Sequence, residues 1–231
     1  MTPSECLAEA LSLLPSVPAA RAFTISASAL GVPPVPTDTL QTPPPPAPQL
    51  QPARPALHIL CRDSSSSSAA FAPIDNLGKS GALSGAGYFE LEDGGARGSL
   101  HVIADRVRSR GALQTLLAHE LVHALDASVF GLDLRVCGAL ACSEVRAAAA
   151  ADCAAESGTP SWWRRRCARN TATASASMVF PEQGAECVRL VFDSCQPLTP
   201  FDNPVPAVNR LLDGERLAVA AAAADESAAG R

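Results

Sequence analysis

Apolar residues recur at helical spacing through Ala112-Leu113-Gln114-Thr115-Leu116-Leu117-Ala118 and on into His119-Glu120-Leu121-Val122-His123-Ala124-Leu125-Asp126. Ser109 is placed to cap such a helix and Gly131 to follow its end. At about 100° per residue, Ala112, Leu116, His119, His123 and Asp126 share one face, while Leu113, Leu117, Leu121 and Leu125 spread over the other. A helix this apolar around its circumference predicts burial. Upstream, residues 57–60, 87–92 and 99–104 are short apolar stretches bounded by Gly, Ser or Asp, which predicts strands of a small sheet. Downstream the pattern predicts three helices: 139–157, stopped by Gly158 and Pro160; about 164–180; and 182–195, stopped by Pro197. The order makes an α+β fold with a short sheet, a central helix and a helical C-terminal part.

Composition divides the chain further. Residues 1–55 are expected to be a disordered segment, because residues 33–55 hold the Pro43-Pro44-Pro45-Pro46 run and favour extended, solvated chain. The folded domain is expected over 56–212, with the serine tract of residues 64–68 as a loop inside it and an alanine-rich tail over 213–231. Net charge is −5 and the pI about 5.4, which gives no footprint for nucleic acid. The sequence has no run of eighteen apolar residues, so no transmembrane helix is expected. Ahead of Cys6-Leu7-Ala8 there is no basic region for a secretory signal, and Glu5 and Glu9 disfavour a matrix-type presequence.

Of the eight cysteines, six (Cys137, Cys142, Cys153, Cys167, Cys187 and Cys195) crowd into the C-terminal third, and none forms a CxxC pair. That arrangement points to disulfides between helices rather than a zinc ribbon, with reduced, buried thiols as the alternative. One pattern is Cys153 with Cys167 and Cys142 with Cys195, among the 105 connectivities that eight cysteines allow. Cys6 and Cys61 stand apart and are expected to be unpaired.

His119-Glu120-Leu121-Val122-His123 carries the candidate chemistry. On a helix its histidines, at i and i+4, aim at one point, and the glutamate after the first is the base that a metal-activated water needs. Charged and polar groups in so apolar a helix are costly unless they bind metal or bond to one another in the core. A catalytic zinc takes three protein ligands and leaves one position open. Glu144, in Ala141-Cys142-Ser143-Glu144-Val145-Arg146-Ala147, is the expected third, because the twenty residues between it and His123 allow a turn and an antiparallel return. The alternative for Glu144 is an ion pair with Arg146. Asp126 is the other candidate ligand, and its expected role is to accept the remaining N–H of a histidine. Trp162-Trp163-Arg164-Arg165-Arg166 reads as a helix start with tryptophans packed inward; contact with anionic lipid head groups is the other reading.

On the segments His119–Asp126 and Ala141–Ala148, together with Cys153, Cys167, Val191-Phe192-Asp193-Ser194-Cys195 and Pro200-Phe201, the chain resembles a family of mitochondrial inner-membrane metalloproteases. They process the ATP synthase subunit 6 precursor and assist assembly of the membrane sector; vertebrate members are also described as Ku-binding proteins. The resemblance covers about residues 84–206. It implies a small zincin-like metalloprotease domain with one zinc on His119 and His123, and Glu120 as the catalytic residue. It also implies a protein substrate, peripheral attachment to the intermembrane-space side of the inner membrane, and oxidised cysteines. Relatives carry cysteines near residues 102–106 and just after the HExxHAxD segment, where this chain has none. The rival reading is a non-proteolytic assembly factor with a structural or vestigial zinc site.

Overall fold

The computed structural model describes residues 1–29, 35–36, 55–64, 86–91, 97–154 and 159–210. The three predicted strands are present as β3 (Ala56–Arg62), β4 (Gly87–Leu91) and β5 (Arg97–Ile103), and two more precede them, β1 (Thr24–Ala29) and the short β2 (Val35–Pro36). Sheet order is β2-β1-β3-β5-β4. The central three strands run parallel, and the outer two pair antiparallel to their neighbours. Along β3 the side chains of Leu57, Ile59 and Cys61 are buried, alternating with less buried ones, as one face packed on helices requires.

That packed face receives α2 (Arg110–Ser128), the central helix, whose Leu113, Leu117, Leu121 and Leu125 sit in one core with Leu57, Ile59, Leu100 and Val102. Ser109 caps α2 by accepting from the Ala112 N–H at 3.1 Å, as its position in the sequence predicts.

The expectation of disorder fails for residues 1–29. Helix α1 (Pro3–Leu13) starts with a capping box in which Thr2 and Glu5 satisfy each other's backbone N–H groups, with Pro3 at the first turn. Its Cys6, Leu7, Ala10 and Leu13, with Leu14, Val17 and Phe23 beyond it, complete the core between sheet and α2. Cys6 and Cys61, expected to be unpaired, form a disulfide between α1 and β3. The apolar period of residues 6–14 supplied the signal, and the proline run behind it masked it. The proline run itself, most of the serine tract and the alanine-rich tail lie outside the described residues.

A second core is built by α3 (Cys137–Ala147), α4 (Ser161–Val179) and α5 (Gly184–Cys195) around Val145, Ala168, Ala172, Val188, Val191 and Phe192. The expected single helix over 139–157 is shorter: α3 ends at Ala147 and passes into a π-helical turn, Ala148–Asp152. Disulfides Cys137–Cys187 and Cys142–Cys195 join α3 to α5, and Cys153–Cys167 joins the end of the π turn to α4. Both pairings anticipated from the sequence are present, and every cysteine is bonded.

Candidate metal centre

The centre forms where α2 faces α3, the π turn and α4. His119 and His123 lie one turn apart on α2, and their Nε2 atoms approach to 3.1 Å. Glu144 of α3 reaches both, with Oε2 at 3.5 Å from His119 Nε2 and Oε1 at 3.6 Å from His123 Nε2. One donor atom from each of the three residues lies within 4.8 Å of the others.

These spacings can be tested against a cation. Four ligands placed tetrahedrally at zinc–ligand lengths of 2.0–2.1 Å sit roughly 3.3 Å from one another, close to the separations found here. Both histidines use Nδ1 elsewhere: His119 Nδ1 bonds Asp152 Oδ2 at 2.7 Å, and His123 Nδ1 bonds Ser143 Oγ at 2.7 Å. Each ring therefore has Nε2 free to present a lone pair to a common point. Glu144 Oε2 is buried without a hydrogen-bond partner, an expensive arrangement that a cation would relieve. The donor set fits a zinc ion, with two imidazoles and one carboxylate leaving a fourth position for solvent or substrate.

The buried charges of the centre shift one another. Burial would raise the Glu144 carboxyl, but His123, His119 and the Ser175 hydroxyl of α4 together hold it below the usual carboxylate range. Glu120, buried beside the pair, is pushed up to about 7, chiefly by burial; His119 opposes the rise, Glu144 and Asp152 add to it, and the Phe89 N–H of β4 opposes it. A carboxyl balanced near neutrality is suited to take up and return a proton. His119 is raised well above the ordinary imidazole value because Asp152 and Glu144 outweigh its burial, whereas burial takes His123 down to about 4.

The expectation for Asp126 is corrected. Although it follows the histidine face on α2, it is fully buried and turned toward Arg146, with which it forms an ion pair. Arg146 Nη2 also donates to the carbonyls of Thr199, Pro200 and Asp202, so this pair ties α2 and α3 to the C-terminal loop. Arg146 is thus engaged by Asp126 and not by Glu144. The partners of the histidines are Asp152 and Ser143, neither of which the sequence singled out. Ser143 had a signal in its place directly before Glu144; Asp152 had none, because its position depends on the π turn. The tryptophans also depart from expectation, since Trp162 is 64% exposed and Trp163 45% exposed at the start of α4.

Two histidines a turn apart, a buried glutamate beside them and a carboxylate from the next helix define a metallopeptidase of the HExxH class. The sequence model of the Peptidase M76 family matches residues 79–202, more than half of the 231 residues, and the chain belongs to that family. No curated protein and no solved structure gives a significant match to the chain.

Proposed function

We propose that this chain is a zinc-dependent endopeptidase in which His119, His123 and Glu144 hold the metal and Glu120 is the general base. The observation that carries the reading is that His119, His123 and Glu144 each bring a donor atom within 4.8 Å of the others, with the buried Glu120 directly after the first histidine. Bound there, zinc would polarise the scissile carbonyl and lower the pKa of a water toward neutrality. Glu120 would accept a proton from the water that attacks the carbonyl carbon and would return it to the amine nitrogen as the C–N bond breaks.

The neighbouring edge of the sheet supports a peptide substrate. Ala86 O accepts from the Ile103 N–H at 2.7 Å, so in the antiparallel phase the backbone groups of Gly87 and Phe89 point away from β5. Among the described residues no strand pairs with that side of β4. An extended peptide added there would run past Glu120, which lies beside Phe89.

By family resemblance, the proposed substrate is the ATP synthase subunit 6 precursor, with a further role in assembling the membrane sector. The proposed place is the intermembrane-space side of the mitochondrial inner membrane. Four disulfides suit an oxidising compartment. The exposed Trp162 and Trp163 beside the exposed Arg164 and Arg166 suit peripheral contact with anionic head groups. No described helix is long and apolar enough to cross a membrane.

The test is Glu120→Gln. It should retain stoichiometric zinc by elemental analysis while peptide hydrolysis falls by about 10²–10⁴-fold, whereas His123→Ala should lose both. Hydrolysis at the wild-type rate in Glu120→Gln would remove the base assignment. Full rescue of a deletion strain by the same variant would favour the assembly role over proteolysis.

A further inference from the structure

We infer that Asp152 is a positioning residue for the metal centre, accepting the Nδ1–H of His119 and thereby holding its Nε2 lone pair on the metal. The inference rests on the zinc reading above and adds to it the part of the chain that orients the first ligand. The Asp152 side chain is only 5% exposed, and its Oδ2 lies 2.7 Å from His119 Nδ1. An imidazole whose Nδ1 donates to a carboxylate is confined to one tautomer and one ring orientation, and is a stronger donor through Nε2.

The backbone explains how Asp152 comes to be there. It follows Glu144 by eight residues. In an uninterrupted α-helix eight steps sweep about 800°, which would leave Asp152 about 80° away from the Glu144 face. The turn Ala148–Asp152 is instead π-helical, with the Cys153 N–H bonding the Ala148 carbonyl five residues back at 2.8 Å. A π turn advances by roughly 80° per residue instead of 100°, and four such steps cancel the deficit. Glu144 and Asp152 then face His119 from the same side, one toward Nε2 and the other at Nδ1. An α-helical turn costs less, so the wide turn persists because something holds it. Cys153, immediately after Asp152, is bonded to Cys167 of α4, which pins the far end of the turn.

The experiment measures zinc affinity of the oxidised full-length chain by competition with a chromophoric chelator, for the wild type, Asp152→Asn and Asp152→Ala. Circular dichroism on each variant reports folding. Asn keeps an acceptor oxygen but loses the charge, so affinity should fall in order, within the 10–100-fold range that such outer partners command: about 10-fold for Asn and about 100-fold for Ala. A residue that only filled space would leave the near-isosteric Asn variant at wild-type affinity. That result overturns the inference, and the Asn variant decides it alone if the Ala variant does not fold. Replacing the staple, with Cys153→Ser and Cys167→Ser together, should lower affinity toward the Ala value; wild-type affinity there would remove the disulfide from the account. A wild-type chain that binds no zinc would overturn the metal centre itself and this inference with it. Undiminished binding by Asp152→Asn beside a zinc-loaded wild type would overturn the inference alone.

Discussion

At the scale of single residues, the contact with a histidine that spacing along the sequence suggests for Asp126 is made by Asp152 instead. Asp126 lies on the histidine face of its own helix, yet it is Arg146 that it meets, with both side chains fully buried. Asp152 is thirty-three residues from His119 and bonds it directly. The distinction has a measurable consequence. Asp126→Ala would leave the Arg146 guanidinium buried without its counter-charge, a change that costs about 3–5 kcal/mol. The urea midpoint should fall accordingly, while the zinc affinity of the folded protein stays at the wild-type value, because His119 and His123 keep Asp152 and Ser143. A loss of zinc affinity without loss of stability would restore Asp126 to the histidines.

At the scale of elements, the centre depends on how closely the C-terminal helices approach. Gly184 opens α5 against the backbone of α4: a Cβ there would lie 2.5 Å from the Ala176 carbonyl carbon and oxygen and from the Ser177 nitrogen. Backbone atoms at that distance cannot yield as a side-chain tip can. Gly184→Ala should therefore push α4 and α5 apart and cost about 1–3 kcal/mol, read from chemical denaturation. Because Ser175 of α4 faces Glu144, the same variant should disturb the centre from behind. A stability within a few tenths of a kcal/mol of the wild type would show that the helices can separate freely. The elements themselves were largely legible. Helix α2 and its Ser109 cap, the strands β3 to β5, and α4 and α5 follow from apolar period and from the Ser, Gly and Pro residues that bound them. The π turn was not, since Ala148-Ala149-Ala150-Ala151 is as good a sequence for α-helix as any, and only tertiary contacts and a crosslink select the wider form.

At the scale of the whole molecule, two cores share α2's surroundings: one between the sheet, α1 and α2, and one among α3, α4 and α5. The centre lies where they meet. The Cys6–Cys61 disulfide closes a separation of 55 residues and ties the first helix to the middle of the sheet. In the chain-entropy picture a loop of that length is worth about 4 kcal/mol. Cys6→Ser with Cys61→Ser should lower the thermal midpoint by roughly 10 °C for a chain of this size, measured by calorimetry. An unchanged midpoint would mean that α1 is held by packing alone. This part of the molecule escaped the sequence reading because a helix of eleven residues ahead of a long proline-rich stretch looks like part of a tail. Its worth lies in the apolar surface it covers on β3 and α2, which is not written locally. By itself the sequence determined the α+β class, the central helix and the presence of His119, Glu120 and His123 on it, because helical period and i, i+4 spacing are local properties of the chain. Through the length of the connection it also offered Glu144 as a carboxylate that could return to them, with Asp126 left as the other candidate. Only the tertiary structure decided which aspartate contacts a histidine, which cysteines meet near the N-terminus and how far the tryptophans stand in solvent. Those outcomes depend on the relative placement of segments distant in sequence, which packing, a π turn and disulfide bonds establish together.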